Sequence, residues 1–237
     1  MSKNDHMRSE PQTVGALRTT VGAAATIQGV YGTRGNLELL ACDERDGLWV
    51  FWFNSDAPGS APSGGVQPGR WSEGLAFARG MRFVEAQILQ SALGPDHLEV
   101  LALDARGTLQ SWYWAPEAGF RRRATDVGQG VRRFASEHDD GVLRVVVDAD
   151  SISTHVSDAT GYPVRSWRQR AATPWERASL ELGAHAHETL VRAGVDEREI
   201  TPGTARSARS TRDGGTDELT WRGTDGVLRH VGVPWGA

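Results

Sequence analysis

The sequence predicts an all-β fold: a β-propeller of five four-stranded antiparallel sheets in a single domain over 13–237. Three observations carry that prediction. A strand-rich unit repeats along the chain. Its apolar runs are short and nearly continuous. Turns of hairpin type join them. Residues 26–53, TIQGVYGTRGNLELLACDERDGLWVFWF, align with residues 88–114, ILQSALGPDHLEVLALDARGTLQSWYW. Gln28 matches Gln90, Gly32 matches Gly94, Leu37-Glu38-Leu39 matches Leu98-Glu99-Val100, and Asp43 matches Asp104. Weaker copies fall at 142–156, 188–201 and 217–233. The chain thus holds four or five units, and five give about 47 residues each, the size of a four-stranded blade.

Taken in chain order, residues 1–12 are polar and predict a disordered tail. Residues 13–20 line up with 72–79, so they predict the outer strand of the last unit, supplied from the opposite terminus. Leu37–Cys42, Leu98–Leu103 and Leu143–Val147 are apolar runs too short for independent helices and without a 3.6 period, hence strands. Continuous apolarity requires cover on both faces, which sheets stacked around an axis supply. Asp46-Gly47, Arg106-Gly107 and Asp225-Gly226 predict the hairpin turns. The stretch 55–70, rich in Gly, Pro and Ser, reads as an insertion into the first unit. Glu137-His138-Asp139-Asp140 reads as an acidic turn before a strand. Across 158–210 the repeat register is lost.

Composition narrows the function. The 26 basic and 30 acidic residues leave a net charge of −4, which argues against nucleic acid or an anionic membrane as partner. A single cysteine, Cys42, excludes an internal disulfide framework. No apolar run approaches the ~18 residues of a membrane span. The N-terminus lacks a secretory h-region, so the expected location is cytoplasmic. There is no G-x-S-x-G, phosphate loop or dinucleotide fingerprint, and neither cofactor nor metal is predicted.

The phrases NLELLACDERDGLWVFWF, GRWSEGLAFARG and HLEVLALDARGTLQSWYW resemble the repeats of bacterial propeller lectins of the fucose-binding type and of tachylectin- and tectonin-like proteins. IQGVYGTRGNLELL with NSDAPG is similar to actinobacterial propeller repeats. The resemblance implies a propeller that binds carbohydrate. The "L-W-x-x-W" hairpin of such repeats is complete only at Leu48-Trp49-Val50-Phe51-Trp52. One or two sugar sites are therefore expected rather than one per blade.

Tryptophan faces suit the apolar face of a sugar, and nearby carboxylates bond its hydroxyls. The aromatic set is Trp49, Trp52, Trp71, Trp112, Trp114, Trp175 and Trp221. Trp49 and Trp112, with Glu38 and Glu99 on neighbouring strands, form the predicted ligand site. Gln28 and Gln90, with Tyr31 and Gln87, are expected near the channel, as ligand groups or as structural bonds between blades. A cofactor-independent enzyme of cyclase, isomerase or lyase type is the alternative, with Glu137, His138 and His230 as acid and base. His185 and His187 share one face if their segment is a strand, a weak metal pattern with Glu188. The clusters Arg121–Arg123 and Arg132–Arg133 read as a solvated face. The expected partner is a carbohydrate or other small molecule, with homo-oligomerisation open as a route to avidity.

Overall fold

The computed structural model describes residues 10–139, 142–153, 155–156, 164–168 and 184–235, with the backbone alone for strand residues 137–139, 142, 155–156 and 164–168. The chain is all-β with several antiparallel sheets and one described helix. It opens with β1 (Gln12–Thr13). Sheet I follows, from β2 (Thr20–Gln28), β3 (Leu37–Asp43), β4 (Leu48–Phe53) and β5 (Leu75–Phe77), paired in chain order. Sheet II contains β6 (Phe83–Gln90), β7 (Leu98–Asp104), β8 (Leu109–Ala115), β9 (Gly119–Arg122) and β10 (Gly128–Gln129). Next come β11 (Arg133–Asp139) and β12 (Val142–Asp148), then β13 (Ser151–Ile152), which pairs with β10 at the edge of sheet II. Sheet III is completed by β14 (His155–Val156) and β15 (Val164–Arg168), the latter parallel to β12. A helix, α1, covers 184–193. Sheet IV is built from β16 (Arg206–Ser210), β17 (Thr216–Arg222) and β18 (Leu228–Pro234), and β1 pairs with β18.

The first strands of successive sheets adjoin one another. β16 packs on β2 and β2 on β6, while Ser136 Oγ on β11 donates to Gln87 Oε1 on β6 at 2.7 Å. Cross-strand alternation then sends successive side chains into different cores. On β3, Leu39 and Ala41 join Leu228 and Val14 between sheets IV and I. Leu40 and Cys42 join Ile88, Val100 and Trp112 between sheets I and II. Leu101 and Leu103 of β7 join Phe134, Val145 and Val147 between sheets II and III. The runs Leu37–Cys42 and Leu98–Leu103 thus have cover on both faces, whereas on Leu143–Val147 only Leu143, Val145 and Val147 are buried. The three expected hairpins turn on Gly47, Gly107 and Gly226, with φ of 86°, 82° and 80°. At Gly47 a Cβ would also stand 2.6 Å from the Phe77 carbonyl oxygen.

Several expectations are corrected. The copy read at 188–201 is not a strand repeat but the end of α1, followed by a 3-10 turn, Glu197–Glu199. The helix stops where Gly194 takes φ 68°, with Gly194 N donating to Val191 O and Val195 N to Leu190 O. Leu190 and Val195 pack with Leu219, Trp221, Val231 and Val233, so α1 covers the face of sheet IV turned away from sheet I. His185 and His187 therefore do not share a strand face. His185 Nε2 lies 3.3 Å from Asp217 and His187 Nδ1 2.7 Å from Glu197. Glu137, His138 and Asp139 belong to β11 rather than to a turn. The N-terminal strand does join the last sheet, at 12–13 rather than 13–20, and 20–28 is the first strand of sheet I. No described helix is long and apolar enough to cross a membrane.

Candidate functional site

One repeat position organises the spaces between sheets. Glu38 pairs across the hairpin with Trp52, Glu99 with Tyr113, and Glu218 with Gly232. The three glutamates are therefore equivalent. Glu218 faces the space between sheets IV and I, Glu38 that between I and II, and Glu99 that between II and III. All three are buried.

Two of them carry internal counter-ions. Arg123 grips Glu99 through Nη1–Oε2 at 2.6 Å and Nη2–Oε1 at 3.0 Å, both side chains 0 % exposed. Ser91 Oγ donates to the same carboxylate at 3.2 Å, and the guanidinium carbon sits 5.2 Å from the Tyr113 ring centre. Arg212 grips Glu218 through Nε–Oε1 and Nη2–Oε2, both at 3.0 Å. Ser210 Oγ donates to Oε1 at 2.6 Å, His230 Nε2 lies 2.8 Å from Oε2, and the Arg212 guanidinium sits 5.2 Å from the Phe53 ring centre. Burial raises the Glu218 pKa, but the bonds from His230 and Arg212 override it and hold it at about 2.

Glu38 has no hydrogen-bond or ion-pair partner among the described residues. The position of Ser91 and Ser210 is Gly29 here, fixed by the pairings Gln90–Leu98, Arg209–Asp217 and Gln28–Leu37. At 7 % exposure, burial alone lifts its pKa to about 8. The carboxyl borders a cavity of about 360 Å³. Trp52, Trp114 and Phe120 wall it, and Tyr31, Leu75 and Asp96 stand exposed on its border. Phe120 stacks on Phe77 at 3.7 Å and Trp114 leans on Phe120 at 5.1 Å, so the wall is braced. The 55–70 insertion contributes Gly64, whose added Cβ would stand 2.8 Å from Trp52 Nε1. That indole nitrogen is buried without a hydrogen-bond partner.

The predicted site residues separate accordingly. Glu38, Gln90 and Tyr31 border the cavity. Trp49 is engaged away from the cavity: Arg18 and Arg79 lie 4.5 and 5.1 Å from its ring centre, and its Nε1 donates to Asp43 at 2.6 Å. Trp112 is core, edge-on to Phe77 and bonded to Gln110. Glu99 is sealed by Arg123, so that arginine is not part of a solvated face. Gln28 and Gln90 are equivalent staples between sheets. Thr211 N donates to Gln28 Oε1 at 2.7 Å and Val30 N to Gln90 Oε1 at 3.1 Å. His230 is 2 % exposed, bonded to Glu218 and packed edge-on against Trp71, so it is closed to a substrate. Glu137 and His138 lie on β11 and Trp175 within 169–183; these side chains are outside the described residues. Trp52, Trp114 and Phe120 escaped the site prediction although alternation points to two of them. Trp52 pairs with Glu38, and Trp114 lies on the Val100 face of sheet II.

No protein-family model, curated protein or solved structure matches this chain.

Proposed function

We propose that this protein is a noncatalytic binding module with one built site, between sheets I and II, for a small molecule with an apolar face, carbohydrate being the class its repeats suggest. One observation carries the reading. Of three equivalent glutamate positions, two are filled by the chain's own arginine, and the third opens on an aromatic-walled cavity. Such a pocket, mostly apolar with a few convergent polar groups, suits a small ligand. The enzyme alternative loses His230, buried in its bond to Glu218.

A propeller arrangement is part of the proposal. It is supported by the adjoining first strands, the paired glutamine staples and the N-terminal strand completing sheet IV. Repeat length alone suggests five blades, whereas the described strands form four sheets and 188–201 supplies a helix, and an experimental structure of the full chain tests the count.

Glycan-array binding and tryptophan fluorescence titration test the site. Trp52→Ala and Trp114→Ala are expected to weaken ligand binding at least about tenfold, from the loss of aromatic contact. Trp49→Phe is expected to leave it unchanged. Binding that survives both cavity substitutions and is lost in Trp49→Phe would reject the site.

A further inference from the structure

We infer that the cavity between sheets I and II takes a cation, a guanidinium or amine carried on a flat apolar body, with Glu38 as its counter-ion. This rests on the site reading above and names what the site recognises. The chain displays the expected geometry twice. At Glu99 and at Glu218 an internal guanidinium makes two bonds to the carboxylate, at 2.6 to 3.0 Å. In both it also lies over a ring: Tyr113, the cross-strand partner of Glu99, and Phe53, on the sheet facing Glu218.

Both ring positions exist between sheets I and II, and both are tryptophan. Trp52 occupies the Tyr113 position, opposite Glu38. Trp114 occupies the Phe53 position, since Leu98 pairs with Trp114 as Leu37 pairs with Phe53. Tryptophan is the strongest cation-π partner among aromatic side chains. The carboxyl and both rings are thus kept, while the serine is replaced by Gly29 and no described cation reaches Glu38.

The surroundings agree. Among the described residues, those bordering the cavity that titrate are Glu38, Asp96 and Tyr31, and none is basic. A buried carboxyl without a partner is costly, and a cation seated on it relieves that cost. Burial keeps Glu38 protonated at neutral pH, so the cation must displace its proton. Binding is then coupled to proton release, and a neutral ligand of the same shape releases none.

Isothermal titration calorimetry with benzamidine and its neutral isostere benzamide tests this, run in two buffers of different ionisation enthalpy. Benzamidine is expected to bind at least about tenfold more tightly than benzamide and to release about one proton at pH 7. Its affinity should rise about tenfold from pH 6 to pH 7. Glu38→Gln should reduce benzamidine to the level of benzamide. The proton count is read on the wild-type chain, so the test survives poor folding of that variant. Benzamidine that does not bind, binds no better than benzamide, or binds without proton release overturns the inference. Neutral methyl glycosides whose binding depends on Trp52 would then leave the site reading standing. Glycosides that also fail, or bind independently of Trp52, overturn both.

Discussion

Ionising Glu38 places a charge in a space where no described residue answers it, and its pKa stands at about 8 against an ordinary 4.5. Between those values the folded chain holds a proton that the unfolded chain has lost. Stability is therefore full below about pH 4.5 and falls as pH rises toward 8. Glu38→Gln removes the titration and is expected to stabilise the protein at pH 7 on the order of 3 kcal/mol, with a smaller gain at pH 5. At Glu218 the sign reverses. Its pKa is held at about 2, so its contribution is present above about pH 4.5 and is lost as pH falls toward 2. Glu99→Gln, at the same repeat position, removes the charge that faces the fully buried Arg123 and is expected to cost about 3–5 kcal/mol. Urea unfolding of both variants at pH 5 and pH 7 measures the contrast. Destabilisation by Glu38→Gln at pH 7 would show that Glu38 has a partner after all. The repeat alignment already made Glu38 and Glu99 equivalent; their divergence was hidden. Arg123 follows β9 and Arg212 follows β16, so the two counter-ions arrive from unrelated chain positions that no repeat pattern encodes.

At the scale of elements, the strands were legible wherever apolar runs met a hairpin glycine. Strand alternation held more than the aromatic content did. Trp49 pairs with Ala41, whose face turns toward sheet IV, whereas Trp52 pairs with Glu38 on the face toward sheet II. Trp49 and Glu38, expected together, therefore lie on opposite faces of sheet I. The helix was missed for a related reason. Ala186, Leu190 and Ala193 mark a helical stripe that stops at Gly194, and the expectation of another strand copy obscured it. The 55–70 insertion breaks the repeat at the space that stays open. Gly64 places it against Trp52 with φ 57°, where a Cβ has neither a relaxed backbone nor room. Gly64→Ala is expected to destabilise by about 1 kcal/mol or more. It should also shift the near-ultraviolet circular dichroism of the displaced indole and weaken ligand binding. An unchanged spectrum with unchanged binding would detach the insertion from the site.

Across the whole molecule, the ends of the chain are tied through sheet IV. Gln12 and Thr13 pair with His230 and Arg229, Val14 N donates to Leu228 O at 2.9 Å, and Val14 is 2 % exposed in the core shared with sheet I. These contacts cover an edge of β18 that would otherwise present free backbone groups. They also place Val14 in the same core as Leu39 and Phe51, one sheet away from the cavity. Removing residues 1–9 leaves β1 whole and serves as the reference for stability and oligomeric state. Removing residues 1–14 strips β1 and Val14, and burial of a valine alone is worth about 2 kcal/mol. The longer truncation should therefore lower the thermal midpoint and make the protein self-associate through the bared edge of β18. Thermal unfolding and light scattering on the two truncations distinguish them. A 1–14 deletion as stable and as dispersed as the full chain would mean that sheet IV stands without its N-terminal strand, and the tie between the two ends would carry no structural weight.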